Sequence, residues 1–405
     1  MSIAKQKKQL TPQLRFPEFD GEWEKKKLEK ICTFFSGGTP TSSNKNYYNG
    51  NIPFIGSGNI FDSKVDKYIN EDALKSSSSK LIKKGDILYA LYGANSGDVA
   101  ISKISGAINQ AILCIKTKEN KFFLYQVLSY KKTSIVNTYL QGGQGNLSSK
   151  IVKKLKVAFP PLHEQQKIAN FLSSIDTQLQ TLEKKKEALV QYKKGVTQKI
   201  FKQEIRFKDD DGNAFPEWEK CKLLKTCDRV TQKNKIDNQN VLTISAQMGL
   251  VNQLDYFNRS VSSKNLKGYY LLHKNDFAYN KSYSNGYPMG AIKRLKYYEK
   301  GVVSTLYICF RFKKIVSFEF MEQYFDSGLQ NKEIKKVAQE GARNHGLLNI
   351  GVNDFFDMKL NLPSIEEQTK IANFLSSIDQ QIEAISQQIQ HTKSYKKGLL
   401  QQMFV

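Results

Sequence analysis

The string KIANFLSSID occupies Lys167–Asp176 and recurs, letter for letter, at Lys370–Asp379. Ten identical residues do not fall twice in a 405-residue chain by chance. The chain therefore reads as a tandem duplication, and its fold as one arrangement made twice. At a fixed offset of 203 residues, Pro160–Phe201 lies over Pro363–Phe404, with Glu-Gln before the string and Tyr-Lys-Lys-Gly after it. Upstream, WEKKKLEKIC from Trp23 and WEKCKLLKTC from Trp218 agree at seven of ten positions and hold the chain's two tryptophans. A Phe-Pro-Glu precedes each, at Phe16–Glu18 and Phe215–Glu217. A fainter echo pairs GAINQAILC (Gly106–Cys114) with GVVSTLYIC (Gly301–Cys309).

Around the repeated string, apolar residues recur at spacings of four and three. They are Ile168, Leu172, Ile175, Leu179 and Leu182, then Leu189, Val196 and Ile200. In the second copy they are Ile371, Leu375, Ile378, Ile382, Ile385 and Ile389, then Leu399 and Met403. This is a heptad seam. Pro160 and Pro363 stand where proline starts a helix, and Glu164 and Glu367 follow in the first turn, where negative charge suits the helix dipole. Each helix is expected to run about 33 residues, about 50 Å at 1.5 Å per residue. Two such helices in one chain predict an antiparallel intramolecular coiled coil with pseudo-two-fold symmetry. The identity extends to outward positions, where Asn170, Ser173, Ser174 and Asp176 match Asn373, Ser376, Ser377 and Asp379. An internal seam does not require that match, so these eight residues are expected to meet a protein partner once on each half.

The segments between the repeats have diverged almost beyond alignment. Both alternate short β-type runs with turn signals, such as IPFIGSGNIF and GDILYALYG in the first and NVLTISAQ and NDFAYNKSY in the second. Each also carries one helical stretch, KFFLYQVLSY or FEFMEQYF. The fold class is α+β: two globular domains with mostly antiparallel sheet, joined by the two long helices. The boundaries are a basic tail at 1–12, a first domain at 13–158, a helix at 159–203, a linker at 204–212, a second domain at 213–361 and a helix at 362–405. Parts that are alike should meet the same thing twice, and parts that differ should meet two different things.

The net charge of +24 points to a polyanionic partner, with nucleic acid foremost. Only seven of the 62 basic residues are Arg, so AT-rich coding contributes to the excess. No apolar run approaches the ~18 residues of a membrane helix, and five scattered cysteines do not form a disulfide framework. The expected location is the cytoplasm, away from membranes. Asn and Gln amides read adenine through two hydrogen bonds, and glycine lets backbone approach closely. The glycine-punctuated loops therefore nominate Thr39, Ser57, Asn59, Tyr92, Asn95, Gln141, Gln144 and Asn146 as DNA-binding in the first domain. Ser245, Gln247, Lys281, Tyr283, Asn285, Arg343, Asn344 and His345 are nominated in the second. Phe16–Phe159 contains no Arg, whereas the second domain has Arg229, Arg259, Arg294, Arg311 and Arg343. Arg is thus expected to contribute to reading only in the second half.

No catalytic constellation is visible. PEFDGEWEKK offers only a loose carboxylate–lysine arrangement, no paired Cys or His spacing suits zinc, and YGANSGD lacks the Gly-Lys-Ser/Thr of a phosphate loop. The chain reads as a non-catalytic DNA-reading scaffold. The alternatives are a stand-alone nuclease or methyltransferase, and a coiled-coil adaptor that binds protein alone.

The organisation resembles the specificity subunit of type I restriction–modification systems over essentially the whole chain. The marks are PPLHEQQKIANFLSSID (Pro160–Asp176) with PSIEEQTKIANFLSSID (Pro363–Asp379), and the opening SGGTPTSSNKNYYNGNIPFIGSGNI (Ser36–Ile60). The repeated Phe-Pro-Glu and Trp entry also fits. The resemblance implies two target-recognition domains, each reading one half of a split double-stranded DNA site, with helices that set the gap and dock two methyltransferase subunits. Restriction subunits join that core. It also implies that the chain holds no cofactor, while S-adenosylmethionine, ATP and Mg belong to the partners. The second half has CDRVTQKNKIDNQN (Cys227–Asn240) in place of the Gly-Gly-Thr-Pro opening, so the half-sites should differ.

Overall fold

The computed structural model describes residues 10–140, 146–245, 248–257, 265–283, 286–338 and 348–405. The chain divides into two compact units, Met1–Glu183 with Gln387–Val405, and Lys184–Ser386.

The first unit holds strands β1 (Glu24–Lys27), β2 (Cys32–Ser36), β3 (Ile52–Ile55), β4 (Tyr68–Ile69), β5 (Lys80–Ile82), β6 (Ile87–Ala90), β7 (Val99–Ile101), β8 (Gly106–Ile108), β9 (Ile112–Thr117) and β10 (Lys156–Phe159). An antiparallel sheet runs β2-β9-β6-β7, a second sheet runs β4-β3-β8-β5 with β3 and β8 parallel, and β1 pairs with β10. Helix α1 (Lys121–Tyr139) starts at Asn120, whose side chain accepts from the N–H groups of Phe122 and Phe123. Its buried face, including Phe123, Leu124, Val127 and Leu128, joins Tyr89, Leu113, Trp23 and Phe159 in one core.

The second unit repeats the plan with β11 (Glu219–Lys222), β12 (Cys227–Arg229), β13 (Leu242–Ser245), β14 (Gly249–Asn252), β15 (Tyr270–His273), β16 (Phe277–Asn280), β17 (Ala291–Arg294), β18 (Lys300–Val303), β19 (Ile308–Phe312) and β20 (Lys359–Leu362). The order β12-β19-β16-β17 matches β2-β9-β6-β7, and β11 pairs with β20 as β1 does with β10. Among the described residues the other sheet is reduced to the pairs β13-β14 and β15-β18, and a parallel bridge between Val241 and Val302 stands in for the β3–β8 pairing. The faint echo in the sequence falls on β8–β9 and β18–β19. Its shared glycine has a packing cause. A Cβ on Gly106 would lie 2.5 Å from the Pro53 carbonyl oxygen, and one on Gly301 2.4 Å from Leu242 Cδ1. Helix α3 (Phe318–Asp326), capped by Ser317, takes the place of α1.

Two long helices run through the chain. Helix α2 (Leu162–Phe201) has 40 residues and α4 (Ile365–Met403) has 39, about 60 Å each. Both exceed the expected 33 because they begin directly after the prolines and carry no break at the lysines within the seam. The four–three spacing is continuous from Ile168 to Ile200 through Lys186 and Lys193, and from Ile371 to Met403 through Thr392 and Lys396. In the first unit Asp176 meets Lys396 at 2.6 Å and Glu183 meets Lys393 at 2.7 Å, so the start of α2 lies antiparallel to the end of α4. In the second unit Lys193, near the end of α2, reaches Asp379, near the start of α4, at 2.7 Å. The helices form an antiparallel intramolecular coiled coil, as the spacing predicts.

Candidate nucleic-acid and partner surfaces

The repeated motifs build the same frame in both units. Glu164 and Glu367 are completely buried. Glu164 accepts two bonds from Arg15 (2.8 and 2.7 Å) and one from the Trp23 indole at 3.3 Å. Glu367 accepts from Arg206 (3.3 and 2.9 Å) and from the Trp218 indole at 3.1 Å. The bond to Glu164 raises the Arg15 guanidinium above its ordinary pKa, and Glu367 does the same to Arg206. The glutamates thus serve as buried anchors for the entry motif, a role the dipole argument did not foresee. The neighbouring Gln165 and Gln368 lock each helix to its domain. Gln165 donates to the Pro160 carbonyl and accepts the Asn120 N–H, while Gln368 donates to the Pro363 carbonyl and accepts the Ser317 N–H.

Seven positions of the repeated string are occupied inside each unit. Ile168, Ala169, Leu172 and Ile175, with Ile371, Ala372, Leu375 and Ile378, are buried in the cores. Phe171 packs edge-on to Phe16, as Phe374 does to Phe207. Lys167 lies over the Phe16 ring and pairs with Glu18, and Lys370 lies over Phe215 and pairs with Asp210. Phe207, rather than Phe215, is therefore the spatial counterpart of Phe16, and the second entry motif carries four extra residues between its Arg and its Trp. Asp176 accepts from Gln126 Nε2 at 2.7 Å and from Lys396, and Asp379 accepts from Gln323 Nε2 at 2.8 Å and from Lys193. The identity of this aspartate pair has a complete internal cause, which removes it as an argument for an external partner. Asn170, Ser174, Asn373 and Ser377 are exposed and Ser173 and Ser376 half-exposed. Ser174 and Ser377 each bond their own helix, at the carbonyls of Phe171 and Phe374.

Among the nominated DNA-binding residues of the first unit, the loops converge. The one-turn helices Ser57–Asn59 and Gly93–Asn95 adjoin, and Asn95 Nδ2 donates to the Ser57 carbonyl at 3.4 Å. Asn59 Nδ2 donates to Asp62 at 3.0 Å, and Tyr92 caps the second of these turns, partly exposed. The chain returns to this place after α1, because Leu147 N–H donates to the Leu91 carbonyl and carries exposed Asn146 alongside Tyr92. Thr39 Oγ1 donates to Gln110 Oε1. Asn109 and Gln110, on the turn between β8 and β9, escaped the sequence reading. The signal was present in the echo, which has Asn-Gln there and Ser-Thr in the second copy. With Gly37, Gly38, Thr39, Thr41 and Ser76–Ser78, Gln110 lines an open polar cleft of about 550 Å3. Gly37 must be glycine, since a Cβ there would lie 1.7 Å from the Ile108 carbonyl oxygen.

In the second unit, Leu348 N–H donates to the Lys281 carbonyl, the counterpart of the Leu147–Leu91 tie. Lys281 and exposed Tyr283 therefore occupy the place of Leu91 and the turn after it. Ser245 is buried, and its hydroxyl accepts the Met248 N–H in the β13–β14 turn. Gln141, Gln144, Gln247, Asn285, Arg343, Asn344 and His345 lie outside the described residues, as does Arg259. Of the other arginines, Arg294 is ion-paired with Glu319 at 2.7 Å and Arg311 with buried Asp276 at 2.6 Å, which leaves exposed Arg229. Among the described residues no group of three or more His, Cys, Asp or Glu is placed to hold a metal, and no helix is long and apolar enough to cross a membrane.

The two units define a tandem pair of α+β domains on one frame, each ending in a half of either long helix. The family model described as Type I restriction modification DNA specificity domain matches the chain twice, over residues 20–192 and 217–393, and the chain belongs to that family. It is similar to the type I restriction enzyme MjaVIII specificity subunit of Methanocaldococcus jannaschii, with 24% identity over 416 residues, 96% of this chain and 92% of that protein. It is 29% identical over 175 residues to the EcoR124I/EcoR124II specificity subunit of Escherichia coli, covering 40% of this chain and 43% of that one. The fold matches the crystal structure of a type I restriction-modification system S subunit from M. genitalium. The TM-score is 0.61 at 14% identity, with 98% of this chain and 99% of that chain covered.

Proposed function

We propose that this chain is the DNA sequence-specificity subunit of a type I restriction–modification complex, working in the cytoplasm and non-catalytic itself. Each unit reads one half of a bipartite double-stranded DNA site. The observation that carries this reading is that the two units share a frame residue by residue, from Arg15–Glu164–Trp23 to Arg206–Glu367–Trp218, and differ in the loops that frame displays. The first reader is the loop cluster of Thr39, Ser57, Asn59, Tyr92, Asn95 and Asn146 with Gln110, and Gln141 and Gln144 follow in the same stretch of chain. Its amides suit adenine edges. In the second, Lys281 and Tyr283 stand at the matching loop, with Ser245, Gln247, Asn285, Arg343, Asn344 and His345 assigned from their sequence positions. Asn170, Ser173 and Ser174, with Asn373, Ser376 and Ser377, form the face that docks two methyltransferase subunits, and restriction subunits join that core. S-adenosylmethionine, ATP and Mg act in those partners.

The test is a genome-wide map of methylated adenines with this gene present and deleted. A two-part motif that vanishes on deletion is the expected result. A map that does not change, in cells where the chain co-purifies with an active methyltransferase, would sink the reading.

A further inference from the structure

The two units present different surfaces where α1 and α3 meet the long helices. Their registers are fixed by shared anchors. Asn120 and Ser317 cap the two helices, and Gln126 and Gln323 bond the matching aspartates Asp176 and Asp379. Phe122 and Tyr125 in the first unit therefore correspond to Glu319 and Glu322 in the second. In the sheets, Ile87 faces Ile101 as Phe277 faces Arg294, so Ile101 corresponds to Arg294.

At these three positions the first unit is apolar and the second ionic. In the second, Arg294 pairs with Glu319 at 2.7 Å and with Glu322 at 3.5 Å, and Lys296 reaches Glu322 at 3.2 Å. The charges close that surface on itself. In the first, the same place is a cleft of about 310 Å3 walled by Phe61, Ile101, Phe122 and Tyr125 and bordered by Ser173. Phe61 is 48% and Phe122 39% exposed. Gln126, only 1% exposed, lines this cleft with a buried Oε1 that has no hydrogen-bond partner among the described residues. Lys103 lines the cleft and Lys121 lies over the Phe122 ring, which makes the rim positive.

We infer that the cleft of the first unit takes a segment of a methyltransferase subunit, a large apolar side chain with acidic residues at the lysine rim, and that the second unit has no equal of it. The two methyltransferase copies therefore bind unequally, the tighter one on the first unit. The inference rests on the proposed function and deepens it. Ser173 belongs to the face that is alike in both copies, and the cleft adds an anchor on one side.

The full-length chain is titrated with the purified methyltransferase and followed by native mass spectrometry. The expected result is two sites of unequal affinity. Phe122→Glu, which places the second unit's residue in the first, weakens the tighter site at least about tenfold, as loss of one aromatic anchor does, and leaves the weaker site unchanged. Phe61→Ser, at an exposed position, gives the same loss if Phe122→Glu lowers the melting temperature. Two equal sites, or variants that bind both copies as the parent does, would overturn the inference while leaving the specificity role intact. A parent chain that binds no methyltransferase would overturn the functional reading and the inference with it.

Discussion

Glu164 shows how a repeated residue is explained one contact at a time. Its carboxylate is buried, and both oxygens accept from Arg15 while one also accepts from the Trp23 indole. Arg15 meanwhile donates to the Asp20 and Gly21 carbonyls, closing the entry loop. Removing one partner from such a pair strands the other's charge, which costs about 3 kcal/mol or more. Arg15→Ala is therefore expected to lower the stability of the first unit by about 3 kcal/mol, read as a shift of its denaturant midpoint. A midpoint within experimental error of the parent would show that water replaces the guanidinium at no cost. Burial also pushes the Cys114, Cys227 and Cys309 thiols up to about 12. Because the thiolate is the nucleophile, these three should resist iodoacetamide at pH 8 until the chain unfolds. Labelling that is rapid in the folded protein would contradict their burial.

At the scale of elements, the seam was legible and its charged members were not. Spacing alone gave the apolar positions of α2 and α4, because period four–three survives in a single sequence. Lys193 and Lys396 interrupt the pattern of residue types without interrupting the helix, since each has an aspartate opposite it, and that partner lies 186 or 220 residues away. The same limit applies to Gln126, whose tie to Asp176 is invisible without the fold. Strand content and the two helical stretches could be read from turns and alternation. The reduction of the mixed sheet to two pairs could not, because it depends on long-range pairing. Of the loops proposed to read DNA, Thr39, Ser57, Asn59 and Asn95 are marked by glycine neighbours, while Gln110 sits inside an apolar run that carries no such mark. Polar residues at seam positions fix register and partner at a cost in stability. The Lys193→Leu, Lys396→Leu double variant leaves Asp379 and Asp176 without their partners, so it is expected to melt at a lower temperature than the parent and, with register no longer specified, to self-associate at micromolar concentration, as judged by sedimentation. A variant that stays monomeric would show that the rest of the seam suffices to specify intramolecular pairing.

At the scale of the whole molecule, the +24 charge and the duplicated frame make separable claims. The charge acts through phosphates without regard to sequence. If the chain in its complex neutralises six to ten of them, affinity falls about 10³–10⁵-fold between 50 and 200 mM salt, whichever bases are present. The frame acts through modularity. Each unit closes its own core, and each variable segment is fastened at the same few places: the Trp–Glu–Arg anchor, the Gln at the helix start and the Gln–Asp–Lys clamp. A segment from another member of the family, grafted over residues 13–158, should therefore fold and change only one half of the methylated motif, provided it keeps Arg15, Trp23 and Gln126. Those three side chains meet Glu164 and Asp176, which lie outside the graft. A graft that keeps them and alters both halves of the motif would show that the units do not read independently. A graft that lacks Gln126 is expected to retain the new half-site at reduced thermal stability, because the clamp positions the domain while base choice is proposed to lie in the loops.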